Sequence, residues 1–177
     1  MTNQYRVKVP PQEYLEAVRD TFFFDPQTGY IHCKLPVGRK AIGERLGYAC
    51  YQTNGRPKHT EFVFRGRRVK CHHVAWFLMK RWWPTRMIDH INNNPLDNRW
   101  NNLRHVTAQE NTWAAGVRST NILGIKGISV VKTKKVGLRY IARCNGKHIG
   151  RFKRLADARK AYNEYVLENR GEYAHVV

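Results

Sequence analysis

Residues 87–111 read MIDHINNNPLDNRWNNLRHVTAQEN, and this stretch limits the local fold more tightly than any other. Asn, Asp and Pro crowd positions 92–102. The side chains of Asn and Asp bond their own backbone and tolerate left-handed turns, so the composition predicts a structured loop rather than helix or sheet. The apolar pair Met87-Ile88 reads as the end of a strand that delivers Asp89 and His90 to a surface. Leu103 to Val106 reads as a second short strand. Thr107-Ala108-Gln109-Glu110 then matches a capping box, in which Thr caps the third helical amide and Glu reaches back to the Thr amide. A helix is expected from Thr107, with Asn111 in its first full turn. The order is strand, loop, strand, helix.

These residue types carry a chemistry. Hydrolysing a phosphodiester needs a base to activate water, a divalent cation to neutralise charge, and a group that holds the base in one orientation. Asp89, His90, Asn102 and Asn111 could supply all three, the Asp89 carboxylate and the Asn111 carbonyl oxygen being hard donors suited to a magnesium-like ion. The Asp89-His90 pair, Asn102 before Leu103-Arg104, and Asn111 on the following helix resemble the HNH, or ββα-metal, nucleases, specifically the branch found in phage homing endonucleases. The resemblance implies that His90 is the general base, that Asn102 orients it, and that Asp89 with Asn111 holds one divalent metal. The third motif letter is Asn here, as in the homing branch, which favours oxygen-coordinated Mg²⁺ or Mn²⁺ over a softer ion.

Lys and Arg total 32 against 13 Asp and Glu, a net charge of +19, so a polyanionic partner is expected. The excess is shared, at +10 before residue 124 and +9 from there on. Met1 to Pro11 lacks the apolar core of a signal peptide, and Val74 to Met79 is far too short to cross a bilayer. The expectation is a soluble, intracellular chain, in the host bacterial cytoplasm if phage-encoded. Cys33, Cys50, Cys71 and Cys144 form no CxxC pair. Buried free thiols are expected, with a zinc assembled from Cys33, Cys50, Cys71 and His72 as the weaker alternative.

Before the central motif, Pro11 to Arg19 predicts a short helix with Tyr14, Leu15 and Val18 on one face. Phe22 to Phe24 and Tyr30 to Lys34, joined by Asp25-Pro26-Gln27-Thr28-Gly29, predict a hairpin. Further strands are expected at Gly47 to Thr53, Glu61 to Phe64 and Arg67 to Cys71, and a helix from His72 to Lys80 that stops before Pro84. Trp76, Trp82, Trp83 and Trp100 read as packing residues, and His72 and His73 as structural.

After residue 123 the pattern changes. Gly127 to Val130, Arg139 to Arg143 and Gly146 to Phe152 predict three short strands, followed by a helix from Leu155 to about Asn169 with Ala158, Ala161, Tyr162 and Tyr165 on one face. Period-two alternation turns Tyr140, Ala142 and Cys144 toward that helix and leaves Arg139, Ile141, Arg143 and Asn145 on the open face. Such a sheet can enter a major groove, where Arg reads guanine and Asn reads adenine. Lys126-Gly127-Ile128, Tyr140-Ile141-Ala142, Ile149-Gly150-Arg151-Phe152, Ala158 to Tyr162 and Gly171-Glu172-Tyr173-Ala174 resemble the plant ethylene-response-factor (AP-two type) DNA-binding domain. The resemblance implies DNA contacts at Lys126, Ser129, Lys132, Arg139, Arg143, Asn145 and His148. His148 replaces that family's tryptophan, so its base preference does not transfer.

The expected fold class is α+β, with an N-terminal HNH ββα-metal domain over 1–115 that includes a β-rich lead-in. A linker over 116–123 and a C-terminal three-stranded antiparallel sheet packed on one helix over 124–177 follow. The expected function is a metal-dependent, site-specific homing endonuclease acting on double-stranded DNA, working as a monomer or a dimer and nicking one strand per active site. The competing reading is an inactive DNA-binding or transcription-regulating protein on an HNH scaffold.

Overall fold

The computed structural model describes residues 7–114, 117, 121–133 and 137–170. The chain divides into two compact units, Met1–Ala108 and Gln109–Val177. Much of the expected linker and the closing Gly171 to Ala174 motif lie outside the described residues.

In the first unit, Pro11 precedes helix α1 (Gln12–Thr21), with Glu13 in the first turn and Arg19 in the last, the charge order that complements a helix dipole. Its buried side chains are Tyr14, Leu15, Ala17 and Val18. Strands β1 (Phe22–Asp25) and β2 (Tyr30–Cys33) form the predicted hairpin, and β3 (Arg45–Leu46) adds to β2. Gly43 and Gly47, both at positive φ, bracket β3, a short strand outside the expected set, and the strand expected from Gly47 is β4 of a second sheet. The second sheet has β4 (Tyr48–Tyr51), β5 (Pro57–Phe64) and β6 (Arg67–Lys70) in sequence order. Helix α2 (Cys71–Lys80) follows β6 directly.

The core of this unit is aromatic. Phe22 meets Phe62 and Phe64 edge to face at 5.3 and 4.7 Å, beside the fully buried Val18, Ile31 and Val74. Trp76 and Trp83 are buried as expected, but Trp82 is 43% exposed. It lies past the end of α2, covering Trp76 and His105 from outside. Strands β7 (Met87–His90) and β8 (Leu103–Val106) then pair as an antiparallel ribbon.

In the second unit, α3 (Ala108–Ala114) starts one residue after the predicted Thr107. Strands β9 (Ile128–Thr133), β10 (Gly137–Cys144) and β11 (Lys147–Phe152) form a sheet in the order β11–β10–β9, and α4 (Leu155–Arg170) lies across it. Ala158, Tyr162, Val166 and Arg170, four residues apart, are the buried stripe of α4. They pack on Ile128, Ala142 and Cys144. Gly127 has φ +73°, and a Cβ there would overlap the Tyr162 ring. Asn145 and Gly146, at φ 50° and 80°, close the β10–β11 hairpin with the left-handed pair of a two-residue turn.

The β1–β2 turn has a second duty. Asp25 accepts hydrogen bonds from the Gln27 and Thr28 amides and from the Thr28 hydroxyl, while Gly29 donates to the Asp25 carbonyl. The turn so fixed receives a hydrogen bond from the Trp100 amide on the Pro26 carbonyl, at 3.0 Å. Gly29 stands at φ +76°, and a Cβ there would come 2.5 Å from the Arg99 nitrogen. Gly29→Ala is therefore expected to destabilise the first unit by about 2 kcal/mol or more, combining the left-handed penalty with the clash. Urea denaturation against Gly38→Ala, where φ is also positive but nothing lies within 4 Å, separates the clash from the backbone cost.

Candidate functional site

The β7–β8 ribbon places the central residues. Asp89 pairs with Arg104 and His90 with Leu103. Along β7, Ile88 and His90 are buried while Met87 and Asp89 are half-exposed, the alternation of a strand packed on one side. Cross-strand pairing brings Arg104 onto Asp89, with Nε and Nη2 donating to Oδ2 at 2.9 and 2.7 Å. Both bonds converge on one oxygen, which leaves Oδ1 as the further acceptor.

Between the strands, the loop is built by its own polar side chains. Buried Asn102 donates to Asn92 Oδ1 at 3.0 Å and to the Asp97 carbonyl at 2.7 Å, and accepts from the Asn92 amide at 2.9 Å. Asn92 also donates to Asp97 Oδ2. Arg99 grips both Asp97 oxygens, and these bonds lower the Asp97 carboxyl to about 2. Asn93 takes a left-handed turn at φ 59°, which Asn tolerates. Asn102 is thus the pin of the loop, and its described bonds do not reach the imidazole.

The group that holds the imidazole is Asn98. His90 Nε2 lies 3.0 Å from Asn98 Oδ1, and Asn98 Nδ2 donates to Thr60 Oγ1 on β5 at 2.7 Å. An amide oxygen only accepts, so Nε2 carries the proton of the neutral ring and Nδ1 carries the lone pair. The side chain that meets the imidazole is thus Asn98, four positions before the Asn102 expected to orient it. A residue count could not separate two Asn in one Asn-rich loop.

Behind His90 stands a histidine cluster. The His72 ring meets His90 at 5.3 Å and His73 at 4.7 Å, edge to face, and His73 in turn meets Trp83. Burial pulls His72 well below the ordinary histidine value, helped by His73, His90 and Lys70. Burial likewise lowers His73 to about 3. His72 Nδ1 is buried without a hydrogen-bond partner.

Asp89 and His90 lie in the first unit, and Asn111 lies on α3 in the second. In the second unit, the open face of the sheet carries Ser129, Arg139, Arg143 and, beyond a bulge in β10, His148. Tyr140, Ala142 and Cys144 face α4 as expected. Three expected contacts sit elsewhere. Lys132 pairs with Leu138 in the register of Ile128 and Val130, the helix side, at the strand's exposed end. Asn145 forms the hairpin turn, and its Oδ1 accepts from Arg170 Nη2 at 3.1 Å. Lys126 is partly buried, donates to the Trp113 carbonyl, and has its ammonium pulled below the usual lysine range by that burial. Ile141 is 5% exposed rather than open, flanked by Ser129 and Arg151. Arg151, opposite Ile141, joins the open face though the sequence reading passed over it.

The lowered His72 and His73 make stability depend on pH. Both take up a proton when unfolded, near pH 6.5, and resist it when folded, so stability is full above that value and is lost as pH falls. Unfolding free energy is expected to drop between pH 6 and 5, above the range where lowered carboxylates such as Asp97 add their own loss, by about 1 kcal/mol for each of the two, and His73→Gln should roughly halve that drop. Urea denaturation across that range checks it.

Residues 69–112 match the family model described as HNH endonuclease. The matched stretch starts at β6 and ends in α3, so the HNH element is central in the chain rather than N-terminal, and residues 1–68 are a lead-in outside it. Protein 3.8 of Escherichia phage T7 is 39% identical over 49 residues, 28% of this chain and 40% of that one. The chain thus matches less than half the length of this relative. No solved structure matches. No described helix is long and apolar enough to cross a membrane. Over residues 69–112, then, the chain is similar to the HNH endonucleases.

Proposed function

We propose that this chain is a divalent-metal-dependent, site-specific DNA endonuclease of the homing type, in which the HNH-like segment cuts and the β9–β10–β11 sheet finds the site. The observation that carries the reading is the His90–Asn98–Thr60 chain, whose first two members lie in the matched HNH segment: an imidazole with one nitrogen fixed and the other left to accept a proton.

In this mechanism His90 Nδ1 takes a proton from water, and the resulting hydroxide attacks the scissile phosphorus. Asn98 keeps the ring in the required tautomer and orientation, and Asn102 holds the loop that presents Asn98. Asp89 and Asn111 are the proposed metal ligands. Their donor chemistry fits, since a carboxylate and an amide carbonyl are both hard oxygens and Asp89 keeps Oδ1 outside the Arg104 contact. A Mg²⁺ or Mn²⁺ bound there would neutralise charge on the phosphate and the 3′ leaving oxygen. One such site per chain cuts one strand, and a double-strand break requires two copies.

Arg139, Arg143, Arg151, His148 and Ser129 form the DNA-facing set on the second unit's sheet. Lys126, Lys132 and Asn145 act from its margins, through phosphate contact or by shaping the turn.

The regulatory reading has its own support: His90 is only 7% exposed, and Arg104 already neutralises Asp89. A nicking assay on plasmid carrying the gene's own flanks, with Mg²⁺, Mn²⁺ or EDTA, decides. Metal-dependent nicking is expected, with His90→Ala slower by about 10²- to 10⁴-fold and Asn98→Ala by about 10- to 100-fold. Binding without cleavage in any ion would establish the regulatory protein instead. Arg143→Ala with Arg151→Ala should lower the salt slope of DNA binding by about 2 while leaving the metal requirement unchanged.

A further inference from the structure

Away from the HNH segment, one face of the β4–β5–β6 sheet gathers three metal-binding side chains. Cys50 on β4 is the register partner of His59 on β5, and Glu61 follows His59 by two residues, so alternation puts His59 and Glu61 on the same face. The Cys50 Sγ, a His59 ring nitrogen and a Glu61 carboxylate oxygen all lie within 4.8 Å of one another. His59 is buried, the Glu61 side chain is 12% exposed, and Cys50 is half-buried.

The carboxylate is already aimed. Its Oε1 accepts from Tyr48 at 3.2 Å and from Arg68 at 3.3 Å, which leaves Oε2 toward His59 Nε2, at 2.9 Å. Arg68 is 75% exposed and sits on the far oxygen, so it does not fill the space between the three donors. Tetrahedral zinc holds neighbouring ligand atoms roughly 3.3–3.7 Å apart, a spacing that side-chain rotation reaches from here. No hydrolytic role described above uses any of these residues.

We propose that Cys50, His59 and Glu61 bind one Zn²⁺ ion, with the fourth position open on the solvent side of Cys50. A thiolate, an imidazole and a carboxylate together are the donor set of a borderline-soft ion, and the thiolate selects against Mg²⁺. This centre is therefore separate in place and in chemistry from the Asp89 and Asn111 pair. It also differs from a zinc built on Cys33, Cys50, Cys71 and His72: Cys33 and Cys71 are buried thiols outside this cluster. The ion ties the edge strand β4 to β5. It also fixes the His59 ring, which meets His72 at 6.5 Å, and His72 is the ring behind His90.

The test uses the full chain, stripped with a chelator and titrated with Co²⁺, whose thiolate bond gives a charge-transfer absorption that oxygen ligands do not. The expected result is one equivalent of Co²⁺ with that absorption, displaced by Zn²⁺. It should vanish in Cys50→Ser, weaken in affinity at least tenfold in Glu61→Gln, and persist in Asp89→Asn. Cys50 is half-exposed on an edge strand, and circular dichroism checks that the near-isosteric Ser variant is folded. An absent band, a band that survives Cys50→Ser, or one lost in Asp89→Asn would overturn the proposal, and none of these outcomes bears on whether the protein nicks DNA.

Discussion

The first unit depends on one buried amide. Asn98 is 4% exposed and satisfies at once the His90 imidazole on the β7–β8 ribbon and a hydroxyl on a strand 38 residues earlier. A buried amide with both ends bonded costs little, whereas one with a missing partner costs about 1–3 kcal/mol, so the position of the loop and the position of β5 are coupled. The lead-in sheets are therefore part of the site. They supply Thr60 from one side and, through the Pro26 to Gly29 turn, a backbone seat for Arg99 and Trp100 from the other.

Seated in this way, the loop can be dense in Asn without being mobile. Its bonds are largely local: Asn92 bonds the Asn94 amide, Asn94 the Leu96 amide, Asp97 the Arg99 amide and side chain, and Asn102 closes the circuit. The same residue types would be unremarkable turn formers on an open surface. Here they convert a twelve-residue excursion between two four-residue strands into a rigid support for His90. Behind the ring, the buried His72 packs edge to face against it at 5.3 Å.

The composition of the loop, the flanking strands, the start of α3 within one residue, and the helix-facing residues of the second sheet were legible because each follows from periodicity or turn chemistry local in sequence. The choice of Asn98 over Asn102 was not legible, because it is decided by Thr60, a partner no local pattern announces. Lys132 was placed on the open face for a different reason. Resemblance assigns positions by sequence offset, while the structure assigns them by register, and a shift of one residue moves a side chain to the other face. Asn145 is spent on a left-handed turn before any DNA contact is considered. The cluster of Cys50, His59 and Glu61 escaped a search for CxxC spacing because its ligands come from two strands, and pairing distance rather than sequence distance brings them together.

Asp89 raises the remaining physical question, whether a carboxylate held by arginine can also serve a cation. By charge over distance, a divalent ion at about 2.1 Å attracts a carboxylate oxygen roughly 2.5 times as strongly as a guanidinium nitrogen at 2.7 Å in the same dielectric. The contest is softened further because Arg104 and Asp89 are 22% and 16% exposed, so the guanidinium recovers some hydration if it moves. It need not leave, since both of its bonds fall on Oδ2. A carboxylate with arginine on one oxygen would keep the other for a cation, and the two positive groups would then stand where a phosphodiester gathers charge. The contact that favours an inactive scaffold when read alone is therefore also compatible with a site built to bind a phosphate.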